Sequence, residues 1–111
     1  MQTTKHAEID SAIAQVAAGL TQLRALMQDP SDLSFELLHP HFEHLERALG
    51  NKAAIDAAFA FIAERDDAGR RVGSSKAKDY LTARLGLSES EAAARLRNGK
   101  NLFAPLPDPE P

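Results

Sequence analysis

From Ser74 to Phe103 the chain reads S-S-K-A-K-D-Y-L-T-A-R-L-G-L-S-E-S-E-A-A-A-R-L-R-N-G-K-N-L-F, and that pattern admits little besides two short helices joined by a tight turn. Ala77, Tyr80, Leu81 and Leu85 fall three or four apart, which sets them on one helical face. Gly86 stops the run, and Leu87 is placed to reach back to the same core. Ser88-Glu89-Ser90-Glu91 has the spacing of a capping box, in which the serine hydroxyl takes the Glu91 N–H and the Glu91 carboxylate returns to the Ser88 N–H. Ala92 and Leu96 mark the apolar side of the second helix, extended by Leu102 and Phe103 if it runs through Asn98-Gly99. Such a layout is that of a helix-turn-helix.

Upstream, the chain predicts one amphipathic helix to Gln28, with Thr3 or Thr4 as its cap. Ile9, Ile13, Val16, Leu20, Leu23 and Met27 alternate steps of four and three, a heptad seam widened by Ala12, Ala17 and Leu26. Two readings of the seam stand: a helix burying one stripe in its own domain, or an interface with a second copy of the chain. Gly19 beside it weakens the helix by roughly 0.5–1 kcal/mol unless it permits close backbone approach. Asp29-Pro30-Ser31-Asp32 ends the helix. Leu33–Leu38 predicts a short buried helix interrupted at His39-Pro40, because the residue before a proline avoids the helical region.

A second long helix is expected from Pro40 to Asp67. Leu45, Ala48, Lys52, Ile55, Phe59 and Ile62 hold one phase through Gly50-Asn51, although Gly50 also suits a helix end and Asn51 a cap. Ala53, Ala54, Ala57, Ala58 and Ala60 leave little bulk, so a neighbouring helix can come close. Residues 67–74, with two glycines and a capping serine, form a connection. The expected fold is all-α: a bundle of two long antiparallel helices, a short linking helix and the C-terminal helix-turn-helix-like pair packed on them. One domain covers residues 1–104. The alternation of proline with acids over residues 105–111 reads as the start of a linker to something further along.

The 111 residues suffice for one small domain with a modest core. Cysteine is absent, which removes disulfides, thiol nucleophiles and thiolate-held zinc. No apolar run approaches the ~20 residues of a membrane span and no signal-peptide pattern opens the chain, so the cytoplasm is the expected compartment. His41 and His44 are three apart, but the spacing is not that of a His-Glu-x-x-His metal helix, and a solvated helix start is the preferred reading. Neither a nucleophile elbow nor a Gly-rich phosphate loop is present. The chain is expected to have no catalytic residues, no metal and no cofactor, and not to be an enzyme by itself.

Charge is unevenly placed. Between Arg70 and Lys100 eight Lys/Arg stand against three Asp/Glu, an excess of five positive charges; the whole chain carries −3, so the remainder carries −8. Either the two parts attract one another, or the basic part meets an anionic partner. For DNA the candidate contacts are Arg70, Arg71, Lys76 and Lys78, which precede and open the first helix of the pair, and Arg95, Arg97 and Lys100 along the second. Glu89 and Glu91 oppose groove reading, since the front of a docked second helix faces the bases, though both suit the helix dipole.

Over Ile55–Phe103 the residues A-F-A-F-I-A-E-R-D-D-A-G, followed by G-S-S-K-A-K-D-Y-L-T-A-R-L-G-L-S-E-S-E-A-A-A-R-L, resemble the N-terminal helical domain of the actinobacterial 13E12-repeat family of HNH endonuclease-like proteins. Tyr80-Leu81 stand in the aromatic-Leu place, Leu85-Gly86-Leu87-Ser88 in the turn, and Glu91-Ala92 at the start of the next helix. The resemblance implies a metal-dependent nuclease module after a linker; its His-Asn-His motif is not in these residues. The expected function is an accessory domain of a DNA-processing protein that binds nucleic acid or positions the nuclease. The alternative is a homodimerisation or protein–protein module, with Ile9, Ile13, Val16, Leu20, Leu23 and Met27 as the dimer interface.

Overall fold

A computed structural model describes residues 2–104. Every regular element among them is helical, and the fold class is all-α: α1 Gln2–Leu26, α2 Phe35–Leu49, α3 Lys52–Arg65, α4 Ala77–Leu85 and α5 Glu89–Phe103, with 3-10 turns at Pro30–Asp32 and Ala68–Val72. None of the described helices is long and apolar enough to cross a membrane. The chain divides into two units, one up to His41 and one from Phe42. The linker expected at 105–111 lies outside the described residues.

In the first unit α1 starts at Gln2, so Thr3 and Thr4 lie within the helix rather than capping it. It ends at Leu26, and the Asp29 carboxylate then accepts the Ser31 N–H at 3.1 Å to open the 3-10 turn. The short helix expected at Leu33–Leu38 does not stop at His39-Pro40: α2 carries Pro40 inside it. The proline removes one N–H, the one that would have met the Glu36 carbonyl, and that single loss does not end the helix. One turn earlier the Phe35 ring stacks on His39 at 5.3 Å. The segment is not buried either, for Phe35 and Leu37 are 76% and 74% exposed.

The single helix expected from Pro40 to Asp67 is two. At Gly50 and Asn51 the ladder tightens, with bonds from Gly50 N–H to the Arg47 carbonyl at 3.2 Å and from Asn51 N–H to that of Ala48 at 3.2 Å. Local chemistry therefore outweighs continuity of phase, although the Asn51 side chain makes no capping bond. The buried face of α3 also differs from the expected stripe. Ile55, Phe59 and Ile62 are exposed, while Ala57, Ala60 and Ala63 are buried. The reason is on α5, where Ala92 and Gly99 are buried against α3: small residues on both helices bring the backbones closer than isoleucine or phenylalanine would allow.

The expected turn between the paired helices is present. Gly86 closes α4 at φ +69°, where a side chain is strained, and Ser88 opens α5. Leu81 is the one large side chain fully buried among the described residues; it meets Ala60 and Ala92, with Tyr80, Leu87 and Leu96 packed around them. Leu87 thus does reach back, whereas Leu85 stays exposed. Half of the capping box forms: the Ser88 hydroxyl accepts the Glu91 N–H at 3.1 Å, but the Glu91 carboxylate turns down the helix to Arg95. Ser88→Ala is expected to lower the stability of this unit by about 1 kcal/mol, read as a shift in the urea midpoint; an unchanged midpoint would mean the cap contributes nothing.

Candidate functional site

Two of the seven nominated cations, Arg95 and Lys78, are ion-paired within the fold. Arg95 is structural: its Nε donates to Glu91 at 2.9 Å, its Nη1 lies 3.4 Å from Asp56 Oδ1 on α3, and its side chain is only 16% exposed. Asp56 also accepts from Lys52 at 2.8 Å, so Arg95 ties α5 to α3 in a small charge network. A pair that is largely removed from water in this way is screened less than an exposed one. Lys78 donates to Glu89 at 3.1 Å, joining the start of α4 to the start of α5. The carboxylate that opposed groove reading thus serves as a partner for one of the proposed DNA contacts.

Arg70, Arg71, Lys76, Arg97 and Lys100 are exposed and make no ion pair among the described residues. Arg70 and Arg71 sit on the 3-10 turn that follows α3, and the chain is held tightly there. Asp67 takes the left-handed conformation (φ 56°, ψ 50°) that aspartate tolerates better than most residues, and it reverses the backbone. Gly69 is buried where a Cβ would stand 2.5 Å from the Lys76 carbonyl oxygen and 2.8 Å from that of Ser74. The Ser74 N–H closes the turn onto the Gly69 carbonyl at 2.9 Å. Beyond it, the Ser74 hydroxyl accepts the Lys76 N–H at 3.0 Å and donates to Asp79 at 2.5 Å.

This turn borders an open concavity of about 560 Å³. Phe59, Ile62 and Tyr80 give it an apolar floor, with the Phe59 and Tyr80 rings 6.4 Å apart, and Arg70, Arg71 and Arg84 stand around it. Arg84 was not among the nominated contacts. Its place one turn after Tyr80 on α4 was the only signal in the sequence, and here it donates to the Arg71 carbonyl at 3.2 Å. Asp66 and Asp67 share the rim. Asp66 is engaged by Arg65 through bonds of 2.9 and 3.1 Å, and the Arg65 guanidinium holds its carboxyl below the usual carboxylate range. Lys76 and Lys78 border a second concavity with Glu64 and Asp67, and Lys100 a smaller, mostly apolar one with Phe61 and Leu96.

Acids thus accompany most of the cations. From Phe42 onward the sequence holds eleven Lys/Arg and eleven Asp/Glu, so the positive excess of residues 70–100 is cancelled by acids elsewhere in the same unit. Among the described residues no three His, Asp or Glu side chains converge as a metal site would require.

The six seam residues nominated as a dimer interface form the opposite case. Ile9, Ile13, Val16, Leu20, Leu23 and Met27 are between 37% and 62% exposed, and Leu26 beside them 64%. Within the unit that ends at His41 the stripe is not buried. Exposed side chains of this size in one continuous row mark an interaction surface more often than chance scatter. No family model, no curated protein and no solved structure matches this chain.

Proposed function

We propose that this chain is a non-catalytic accessory module of an HNH endonuclease-like DNA-processing protein, and that it acts by bringing two copies of that protein together through α1. The parent class rests on the resemblance of residues 55–103 to the 13E12-repeat domain. The mode of action rests on one observation: a heptad seam whose first five members lie on the 25-residue α1 and whose sixth, Met27, follows directly after it, with every member exposed. Removing such a row from water is worth about 25 cal/mol for each Å² of apolar surface, and a second copy offers a matching row. Sedimentation equilibrium tests it. The wild type is expected to be a dimer at micromolar concentration and Val16→Glu/Leu20→Glu a helical monomer; a monomeric wild type at ~100 µM overturns the reading.

A second reading, contact with a nucleic-acid backbone, is favoured by the exposed, unpaired state of Arg70, Arg71, Lys76, Arg97 and Lys100. Arg95 and Lys78 leave the list because their charges are already met within the fold. Binding of a DNA duplex is then expected to weaken steeply with salt, with a log–log slope of roughly −0.9 for each phosphate engaged. Arg70→Glu/Arg71→Glu/Arg97→Glu should abolish it. Absence of binding at micromolar protein, or binding indifferent to salt, rules this contact out.

A further inference from the structure

We infer that two copies of α1 pair antiparallel, in a single register centred near Ala18, and this rests on the self-association proposed above. With Ile13, Leu20 and Met27 in one core position of the heptad and Ile9, Val16 and Leu23 in the other, antiparallel pairing sets each member of one set opposite a member of the other. At this register Ile13 meets Leu23 of the partner subunit and Leu20 meets the partner's Val16, while Met27, one residue past the end of α1 and held by its N–H to the Leu23 carbonyl at 2.9 Å, meets the partner's Ile9. Every layer then joins a β-branched side chain to an unbranched or γ-branched one, so bulk near one backbone is matched by reach from the other. A parallel pair would instead stack each residue on its own copy.

The flanking charges select the same register. Asp10 and Arg24 lie fourteen residues apart on one edge of the seam, about 21 Å along the helix, too far to meet within one chain. Both are exposed, and neither makes an ion pair among the described residues. Antiparallel pairing centred near Ala18 brings Asp10 beside Arg24 of the partner subunit, and the two-fold axis makes that contact twice. A parallel pair leaves both Arg24 side chains unmatched, offering only Lys5 to the partner's Asp10.

Size agrees with charge. The residues flanking the axis are Ala17 on one edge and Gly19 on the other, and a Cβ built at Gly19 meets nothing within 4 Å. Among the described residues nothing therefore requires a glycine there, inside a helix that it weakens. Facing its own copy across the axis, it lets the backbones approach. On the same edge the exposed Leu26 is set against the partner's Ala12, large on small.

The absence of cysteine makes the register directly readable. Full-length chains carrying Ile13→Cys and Leu23→Cys, tagged differently and mixed in a glutathione redox buffer, are expected to give the mixed disulfide in preference to either homodisulfide. Predominant Leu23→Cys homodisulfide would overturn the antiparallel register while leaving self-association intact, whereas a wild type monomeric in sedimentation defeats the self-association reading itself. As an independent readout, Asp10→Arg and Arg24→Asp should each weaken the dimer by roughly tenfold, two cross-pairs becoming two repulsions. The double exchange should restore it to within about threefold of wild type by the same reckoning. A double exchange no tighter than the single variants removes the charge pairing, and the register with it.

Discussion

Gly99→Ala is expected to unfold most of the second unit at temperatures where the wild type is intact. Gly99 lies inside α5, buried where its backbone packs directly on α3 at Ala57 and Phe61. An added Cβ would fall inside the contact radius of the Ala57 carbonyl oxygen, and 3.0 and 3.2 Å from the Phe61 nitrogen and Cβ. Two of those three atoms are backbone, so no rotamer change relieves the clash; the helices must separate. Overpacking of this kind costs typically 1–3 kcal/mol and sometimes more, while the better helix propensity of alanine returns only about 1 kcal/mol. Because α3 against α5 is the most extensive helix contact in the unit, separating them also loosens Ala57, Ala60 and Ala92. With the overpacking at the upper end of its range, as a clash with backbone implies, the net loss is about 2 kcal/mol, which lowers the melting temperature of a domain this small by roughly 10 °C. Circular dichroism on heating checks it, and a variant melting at or above the wild type would show that the approach of the two backbones is not a constraint.

Leu81→Ala is expected to cost at least as much. Ala57, Ala60, Ala63 and Ala92, the other buried hydrophobic residues, have little more to lose. Truncating Leu81 removes the one large side chain among the described residues that is wholly out of water, where three helices meet: α4 supplies it, α3 and α5 the alanines against it. Leucine-to-alanine changes in cores cost about 2–5 kcal/mol according to how far the site can collapse. Backbones already brought together by small residues have little room left to close, which puts this site toward the upper part of that range. A unit with so small a core has a total stability of only a few kcal/mol, so the expected outcome is loss of the cooperative urea transition. Leu81→Met, which keeps the volume, should cost less than about 1.5 kcal/mol and retain the transition. Equal behaviour of the two variants would show that burial of Leu81 does not hold the unit together.

Where the helices occur was legible where local chemistry speaks alone. The paired helices around Gly86-Leu87-Ser88 follow from a residue forced to positive φ and a serine that caps. The break at Gly50-Asn51 was legible too, but only to the local reading; the phase of larger apolar residues argued against it and lost. The candidate contacts were less legible. A count of charges from Arg70 to Lys100 cannot show that Arg95 reaches back to Asp56 or that Lys78 reaches Glu89, because those partners are set by which helix faces which.

The amino-acid sequence by itself determined that this chain is helical, where the turn between α4 and α5 falls, and that α1 carries a regular apolar seam, since capping, glycine conformation and heptad spacing all act over a few residues. Only the tertiary structure decided which apolar faces are used. α3 turns inward its alanines rather than Ile55, Phe59 and Ile62, because Gly99 and Ala92 on α5 accept a close backbone and not a bulky side chain. Periodicity marks a face as apolar; the shape of what lies opposite determines whether that face is buried.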